Sequence, residues 1–355
     1  ITSDEVELIE KIVQSVLEKV NRSSFYVPKY EVGLDENVEK FRKKVKEWSQ
    51  QRQNEKAQVV GIVGLGDVGK TTLVKEFFPT ESPAYRNFCF YPVRRNGCIT
   101  RPDCLIGELF KGSSGLVSSP TSVDAVKILP DASNPSVDMI RNNPSLVVLD
   151  GVDNVEEREN LLKIQERLHS KSLILITSRD PEVLRCSEVE KIYHLNGLNE
   201  PCSRKLFCFH AFHQAAPLQG YEYLVAWVLR VCDGLPLLLK LLGALLCGNN
   251  DRFYWEDLCD SLQAKKIEEK LKVIYDTLGT EEQQTFLDIA CNLVGKNADI
   301  WLKSGKKGII WFQILLEKRL VEVDSENCIQ MHDLLKNLGG EIAKATKSPR
   351  PLFFG

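Results

Sequence analysis

A glycine-rich segment at residues 64–72, with the sequence GLGDVGKTT, constrains the fold of this chain more than any other feature. It follows the apolar run at residues 59–63 and precedes a helix-like stretch at residues 73–78. A strand that ends in G-x-x-x-x-G-K-T and turns into a helix directs several backbone N–H groups at one point, where phosphate oxygens can bind. The segment therefore predicts a phosphate-binding loop. The alternative is a glycine-rich strand-to-helix turn without a ligand.

The lysine and the first threonine of this segment carry its predicted chemistry. We expect Lys70 to reach the β- and γ-phosphates, and we expect the Thr71 hydroxyl to bind Mg²⁺. The other loop positions predicted to bind the nucleotide are Gly64, Gly66, Val68, Gly69 and Thr72. A nucleoside phosphate together with Mg²⁺ is the predicted ligand.

Length and composition indicate the number of domains and argue against several other classes of protein. A chain of 355 residues exceeds what one hydrophobic core usually serves, so we expect two or three domains. The net charge of −3 gives no general reason to expect a nucleic-acid partner. The 11 cysteines are odd in number and form no C-x-x-C pair, which favours reduced thiols in a cytoplasmic or nuclear protein. The apolar stretch 235–247 is too short for a membrane span, and Lys240 interrupts it.

Aliphatic runs separated by crossover lengths predict a parallel sheet covered by helices on both faces. The predicted strands are residues 59–63, 88–93, 146–149, 173–176 and 192–195. Residues 111–136 are rich in Gly, Ser, Pro and Asn, and they predict a surface loop with one short helix near 123–129.

Helical patterns precede and follow the predicted sheet. Residues 3–20 and 37–48 have helical spacing, and the second of these helices is strongly basic. Beyond residue 195, a small bundle is predicted from helices at 200–214, 221–232, 235–247 and 253–263. A winged-helix domain is then predicted from helices at 267–275, 281–293 and 309–318, strands at 320–323 and 328–331 across the turn 324–327, and a final helix from Asp333.

These patterns predict an α/β P-loop NTPase domain followed by a helical bundle and a winged-helix domain. The predicted bounds are 1–28 for a lead-in helix and linker, 29–195 for the nucleotide-binding domain, 196–265 for the bundle, 266–347 for the winged helix and 348–355 for a linker.

Two further strand ends carry candidate site residues. Asp150 follows the apolar strand at residues 146–149, as a Walker-B element requires, and is the predicted Mg²⁺ partner of Thr71. The strand at 173–176 brings residues 177–180 to the same edge of the sheet, where open α/β sheets bind ligands. We expect Arg179 to sense a γ-phosphate. The alternative is a surface arginine paired with Asp180.

The order of these motifs resembles one family, the NB-ARC module of plant intracellular immune receptors, which are STAND-class P-loop NTPases related to animal apoptosome scaffolds. The resemblance covers nearly the whole chain. Besides the P-loop and Asp150, it rests on residues 173–180, 195–198, 234–237, 286–291 and 331–333. Asp153 together with residues 286–291 resembles the disease resistance proteins that carry an N-terminal TIR domain. Such receptors normally end in leucine-rich repeats, and we expect both flanking domains to lie outside this sequence.

The resemblance implies roles for four residues outside the loop. Pro236 is similar to the proline that packs on the adenine, and Val32 with Gly33 resembles the segment that borders the base from the other side. His332 resembles the histidine that touches the β-phosphate of ADP and ties the winged helix to the nucleotide-binding domain. From the residues by themselves, Pro236 starts a helix and His332 is a partly exposed histidine at a strand end.

Two positions depart from the family pattern. The family loop carries glycine where Asp67 stands, so a carboxylate lies near the phosphates unless it faces solvent. The second acidic residue after Asp150, the family's candidate for polarising the attacking water, is Gly151 here. We therefore expect ATP hydrolysis to be slow or absent. Asp150 and Asp153 are the remaining catalytic candidates, and Asp153 would have to reach back to the site.

The resemblance implies a signalling switch in plant defence that binds ADP in a closed resting state and oligomerises when ATP replaces it. Two other functions stay open: a nucleotide-gated winged-helix regulator that binds DNA, and an active oligomeric ATPase, which Gly151 disfavours. The candidate recognition helix at residues 309–316 is mostly apolar, whereas base readout needs polar and basic side chains. The basic cluster of Lys303, Lys306 and Lys307 is insufficient by itself.

Overall fold

The computed structural model describes residues 32–51, 56–66, 68–93, 141–303, 305–324 and 327–346. The chain divides into two compact units, one of residues Gly33–Leu198, here called the sheet unit, and one that contains Asn199 and the residues after it, here called the helical unit. Four sequence predictions lie outside the described residues: the lead-in helix at 3–20, Asp67, the loop at 111–136 and the linker at 348–355.

The sheet unit is built on five parallel strands. Their order across the sheet is β2-β3-β4-β1-β5. The strands are β1 Gln58–Val63, β2 Asn87–Pro92, β3 Ser145–Asp150, β4 Leu173–Ser178 and β5 Lys191–His194. Every residue of β1, β3 and β4 is buried, as expected for central strands covered on both faces. All five predicted strands are confirmed.

Within the sheet unit, the predicted end of β4 was the one strand bound that differed by more than one residue. The aliphatic run stops at Ile176, yet β4 continues through Ser178 because its ladder with β1 pairs Ile62 with Thr177 and Val63 with Ser178. The strand therefore carries two buried hydroxyl side chains up to the carboxyl edge of the sheet.

Among the described residues, the sheet is accompanied by the α-helices α1 Leu34–Gln50, α2 Lys70–Glu81 and α3 Val155–Leu162. Phe41 of α1 packs edge-to-face on Phe77 of α2 and on Tyr193 of β5, with ring centroids 5.0 and 4.9 Å apart. The Arg42 guanidinium also donates to Glu81 at 2.7 Å. The basic helix predicted near residues 37–48 thus packs on α2, the helix that follows the phosphate-binding loop.

The helical unit begins with four helices, α4 Glu200–Phe212, α5 Glu222–Cys232, α6 Pro236–Leu246 and α7 Arg252–Leu262. Trp255 is fully buried among the rings of Phe207, Phe212 and Tyr221. At Gly243, an added Cβ would lie 2.6 Å from the Cβ of His210, so glycine permits the close packing of α6 on α4. The helix predicted at 235–247 is therefore confirmed, and most of its residues are buried. In the part of the chain that the structure describes, no helix is long and apolar enough to cross a membrane.

The remaining elements are α8 Ile267–Asp276, α9 Thr280–Asp288, α10 Gly305–Glu317, β6 Glu322–Val323, β7 Ile329–Gln330 and α11 Asp333–Thr346. The two short strands pair antiparallel, with Glu322 opposite Gln330 and Val323 opposite Ile329. They are shorter than predicted. The helix predicted at 281–293 also differs, because α9 ends at Asp288 and the chain continues as a wider π-helical turn at Ile289–Leu293.

The apolar face of α10 lies in the core of the helical unit. Phe312, Leu315 and Leu316 are fully buried, and the Phe312 ring stacks on Trp301 with centroids 5.2 Å apart. Packing thus accounts for the apolar character of a helix that would otherwise have to read base edges. The side chains of Lys303, Lys306 and Lys307 lie outside the described residues.

Candidate functional site

The phosphate-binding loop leaves β1 at Val63 and passes very close to the backbone after β5. The Leu195 N–H donates to the Val63 carbonyl at 2.8 Å. A Cβ on Gly64 would lie 2.5 Å from the Leu195 carbonyl oxygen and 2.8 Å from Val68. Because a backbone oxygen cannot move aside as a flexible side chain can, only glycine fits at position 64. The backbone at Leu195 therefore limits the side chain that the loop can carry at position 64.

The loop ends in a left-handed residue that starts α2. Gly69 has φ of 103°, a conformation that side chains rarely adopt, and Lys70 follows as the first residue of the helix. The Lys70 side chain is folded back over the loop, where its Nζ donates to the Gly64 carbonyl at 2.7 Å and to the Leu65 carbonyl at 2.8 Å. Lys70 is only 8% exposed. Its ammonium group thus lies inside the concave side of the loop.

The remaining loop positions differ in exposure. Val68 is buried, Gly66 is half-buried and Thr72 is exposed. Before α1, Val32 is half-buried and Gly33 has a left-handed φ of 74°. Their part in nucleotide binding stays a prediction.

Asp150 is joined to the loop helix by hydrogen bonds. The Thr71 hydroxyl lies 3.0 Å from each carboxylate oxygen of Asp150. Asp150 is the last residue of β3 and is 9% exposed. The two residues predicted to hold Mg²⁺ are therefore in direct contact, although they are 79 positions apart.

A third residue of this cluster was not predicted as a site residue. The Thr177 hydroxyl donates to Oδ1 of Asp150 at 2.7 Å and accepts from the Gly151 N–H at 2.8 Å. The sequence placed Thr177 at the correct edge of the sheet but gave it no role. A hydroxyl within a buried strand, beside another strand that ends in aspartate, is the signal that could have identified it.

Beyond Thr177, the chain turns away from the sheet. Arg179 is half-buried, and the Asp180 carboxylate accepts from the backbone N–H of Glu182 at 2.9 Å. Asp180 thus caps the short helical turn Pro181–Leu184. After β3, Gly151 has φ of 83°, and Asp153 is exposed.

The donor set fits a hard cation that is shared with a phosphate. Mg²⁺ is typically held by one or two protein oxygens together with phosphates and waters. Thr71 and Asp150 offer a hydroxyl and a carboxylate of this kind. Among the described residues, no group of three or more His, Cys, Asp or Glu side chains could hold a metal ion by itself. This is consistent with a cation site that is completed by the nucleotide.

The predicted residues Pro236 and His332 belong to the helical unit. Pro236 is the first residue of α6, which fits its helix-starting role. His332 is exposed at the start of α11, and its Nδ1 accepts from the Leu334 N–H at 3.3 Å. This hydrogen bond assigns the ring proton of neutral His332 to Nε2.

Comparison with known proteins gives three kinds of match. Residues 279–347 match the winged-helix domain of the Roq1-like disease resistance protein. The chain is 29% identical over 350 residues to disease resistance protein RUN1 of Vitis rotundifolia, covering 95% of this chain and 25% of that protein. It is 29% identical over 363 residues to TMV resistance protein N of Nicotiana glutinosa, covering 97% and 30%. It is 30% identical over 351 residues to disease resistance protein RRS1B of Arabidopsis thaliana, covering 95% and 24%.

A solved structure shows the same fold at low sequence identity. It is a signal transduction ATPase with numerous domains (STAND) from Pyrococcus horikoshii, which carries a tetratricopeptide repeat sensor. The TM-score is 0.51 at 15% identity, covering 90% of this chain and 43% of that one. The predicted P-loop fold with a winged-helix domain is confirmed.

The present chain spans about a quarter of the length of the resistance proteins it matches. The motif order, the P-loop fold and the sequence similarity agree over nearly its whole length. The chain is therefore similar to plant disease resistance proteins over nearly its whole length, it has a P-loop fold, and its residues 279–347 match the winged-helix domain of the Roq1-like type.

Proposed function

We propose that this chain is the nucleotide-controlled switch of a plant immune receptor. It holds ADP in a closed resting state and adopts an oligomerising state when ATP replaces ADP. The observation that carries the proposal is the contact between the Thr71 hydroxyl and the Asp150 carboxylate at 3.0 Å, because it joins the phosphate-binding loop to the cation-binding strand. The similarity to plant disease resistance proteins supports the receptor context.

In the proposed complex, the loop binds the phosphates of the nucleotide and residues outside the loop contact its base. Lys70 would move its ammonium group from the loop carbonyls to the β- and γ-phosphates, and Thr71 with Asp150 would hold Mg²⁺. The cation would neutralise phosphate charge and orient the nucleotide. Val32, Gly33 and Pro236 are proposed to border the adenine.

The switch is proposed to act through His332 and Arg179. Because Nδ1 of His332 accepts the Leu334 N–H, its Nε2–H is the donor that would contact the β-phosphate of ADP. Arg179 would distinguish ATP by its γ-phosphate. Moving such an equilibrium from 1:99 to 99:1 needs about 5.5 kcal/mol of differential binding, of which one charge-assisted hydrogen bond supplies about 1.5–3 kcal/mol.

Slow hydrolysis is part of the proposal. Gly151 provides no carboxylate next to Asp150 that could polarise the attacking water. Asp153 is exposed, and its backbone N–H donates to the Glu157 carboxylate at 3.4 Å. A switch benefits from slow turnover, because each state then persists for the time that signalling requires.

The receptor context implies further partners. We propose that an N-terminal TIR domain and C-terminal leucine-rich repeats flank this region in the full receptor, and that activation brings several copies together. A cytoplasmic location, extending to the nucleus, fits a receptor of this class.

The first test identifies the bound nucleotide. The protein is purified without added nucleotide and denatured, and the released compounds are separated by ion-exchange chromatography. Stoichiometric ADP supports the closed resting state, and ATP supports nucleotide binding with impaired hydrolysis but contradicts the ADP-bound resting state. A folded sample that releases no nucleotide, and that binds neither ADP nor ATP when they are added, overturns the proposal.

A second test addresses the role of His332. His332→Ala should accelerate ADP release and raise the basal signalling activity of the full receptor. His169→Ala is a matched control, because the Nδ1 of His169 likewise accepts the N–H of the residue two positions later, Lys171, at 3.1 Å. Unchanged ADP release in His332→Ala, or an equal effect in both variants, would count against the role.

A further inference from the structure

Thr177 occupies a central position at the carboxyl edge of the sheet. On one side it pairs with Ile62 of β1, the strand that leads into the phosphate-binding loop. On the other side lies β3, whose last regular pair with β4 is Leu149 with Ile176. Thr177 is 1% exposed. Thr177 therefore lies on the strand between the loop strand and the strand that carries Asp150.

The hydrogen bonds of Thr177 continue the link between β4 and β3 after the regular ladder ends. The Val152 N–H donates to the Thr177 carbonyl at 3.0 Å, and the Gly151 N–H donates to the Thr177 hydroxyl oxygen at 2.8 Å. Since that oxygen accepts from Gly151, its own proton is directed to Oδ1 of Asp150 at 2.7 Å. A backbone N–H thus fixes the direction in which Thr177 donates.

The second hydroxyl on Asp150 is in a different situation. Thr71 is exposed, and its hydroxyl lies equally far from both carboxylate oxygens, at 3.0 Å. In the proposed nucleotide complex the Thr71 oxygen is a ligand of the cation, whereas the buried Thr177 has no such second task. Thr177 is then the donor that keeps the Asp150 carboxylate in position.

We infer that Thr177 is a positioning residue for the cation site: it orients Asp150 and thereby sets the part of nucleotide affinity that depends on Mg²⁺. This inference rests on the proposed function. Groups that hydrogen-bond to metal ligands fix the ligand's orientation, and their loss typically costs about 10–100-fold in metal affinity or activity. Thr177 lies in β4, the strand that Arg179 follows, and its hydrogen bond to Asp150 therefore connects the cation site to that strand.

The test measures ADP affinity by calorimetry, once with excess Mg²⁺ and once with EDTA. Thr177→Val keeps the branched shape but removes the hydroxyl, and Thr177→Ser retains the hydroxyl. Ser172→Ala is the matched structural control. Ser172 lies at the other end of the same pair of strands, where its hydroxyl oxygen accepts the Ser145 N–H at 2.9 Å.

We expect Thr177→Val to lose about 10–100-fold of ADP affinity in Mg²⁺ and to match the parent in EDTA. Thr177→Ser and Ser172→Ala should keep the Mg²⁺ dependence of the parent. Asp150→Asn should lose that dependence, and adding Thr177→Val to it should cause no further loss, because Thr177 acts through Asp150. If Thr177→Val does not fold, Thr177→Ala takes its place in the same comparison.

The outcomes separate this inference from the proposed function. A Thr177→Val variant with the parental Mg²⁺ dependence overturns the positioning role while leaving nucleotide binding intact. If Thr177→Val loses ADP affinity equally in Mg²⁺ and in EDTA, Thr177 is a structural residue only. The same conclusion follows if Ser172→Ala shows the same loss of Mg²⁺-dependent ADP affinity as Thr177→Val. A folded parent that binds no ADP overturns both the inference and the proposed function.

Discussion

The two edges of the central sheet provide hydrogen-bond partners for buried polar groups in different ways. Both edges bury polar side chains between β3 and β4, where the regular ladder begins or ends. At the amino edge, the Ser145 N–H donates to the Ser172 hydroxyl, and the Asn87 amide donates to the Ser145 hydroxyl at 3.2 Å. At the carboxyl edge, the hydroxyls of Thr71 and Thr177 both donate to one carboxylate.

The hydrogen bonds described here at the amino edge join neutral groups. The donors at this edge end on other hydroxyls or on backbone carbonyls, such as the Gln165 amide on the Ala57 carbonyl at 2.8 Å. Such a network satisfies buried groups and stabilises the fold. The side chains of Asn87, Ser145, Gln165 and Ser172 that form it carry no charge.

The carboxyl edge keeps a negative charge and a positive charge on neighbouring elements. Asp150 lies at the end of β3, where the Thr177 hydroxyl donates to it, and Lys70 lies at the start of α2, where it donates to the Gly64 carbonyl. These neutral groups orient two side chains of opposite charge. The difference teaches that hydrogen bonding by itself does not distinguish a site from a structural network; the retained charge does.

The largest expected effect comes from adding a second carboxylate to the carboxyl edge. Gly151→Asp should accelerate phosphate release from ATP, because a positioned general base contributes about 10²–10⁴-fold. Gly151 has φ of 83°, which Asn and Asp tolerate best among residues other than glycine. Gly151→Asn is therefore the control with a similar backbone cost. Faster release by the natural chain than by Gly151→Asp would show that Gly151 does not limit hydrolysis.

Removing the positive charge of the same edge should come next. Lys70→Met keeps an apolar stem and loses the ammonium group, so ADP should bind about 100-fold more weakly, since a hydrogen bond to a charged group is worth about 1.5–3 kcal/mol. Calorimetry measures the change. Lys75→Met, on the exposed side of the same helix, should bind like the parent. Equal affinity of the Lys70→Met variant would contradict the phosphate role.

A steric change at the loop should affect both stability and binding. In Gly64→Ala the new methyl group meets the Leu195 carbonyl, so we expect a loss of about 1–3 kcal/mol in the free energy of unfolding together with weaker ADP binding. Denaturant titration measures the first effect. Gly340→Ala is the opposite case, because nothing lies within 4 Å of the added Cβ in the interior of α11. It should gain about 0.5–1 kcal/mol. A fully stable Gly64→Ala variant would contradict the close approach.

The smallest effect on the site is expected at the amino edge. Ser172→Ala leaves the Ser145 N–H buried without its acceptor, which should lower the free energy of unfolding by about 1–3 kcal/mol. Nucleotide affinity should stay unchanged, with or without Mg²⁺. Weaker ADP binding in this variant would mean that the two edges are coupled through the strands, and that their separation into a network and a site is wrong.

Much of the sheet unit could be predicted from the sequence because its signals are local. Aliphatic runs identify the strands to within one residue at most ends, and the strand-loop-helix order identifies the phosphate-binding loop. The end of β4 was missed because hydrophobicity stops at Ile176 while the hydrogen-bond ladder with β1 continues for two more residues. In the helical unit, the π-helical turn Ile289–Leu293 likewise gave no local signal.

Thr177 escaped prediction as a site residue, and the reason why position 64 needs glycine was also missed, because both depend on a neighbouring strand. Thr177 is one of many threonines in the sequence, and only the pairing of β4 beside β3 brings it to Asp150. The glycine at position 64 follows the motif, but the atom that excludes a side chain there belongs to Leu195.

The sequence by itself predicted the ligand class and determined which charged residues the candidate site contains, because the loop motif and the strand-terminal aspartate are encoded in short segments. The tertiary structure decided how those charges are held. Lys70 is oriented by its own loop, but Asp150 is oriented by Thr71 and Thr177, which are 79 and 27 positions away in the chain. These hydrogen bonds form because the parallel strands β1, β3 and β4 bring their carboxyl ends, and the helix that follows β1, to one edge of the sheet.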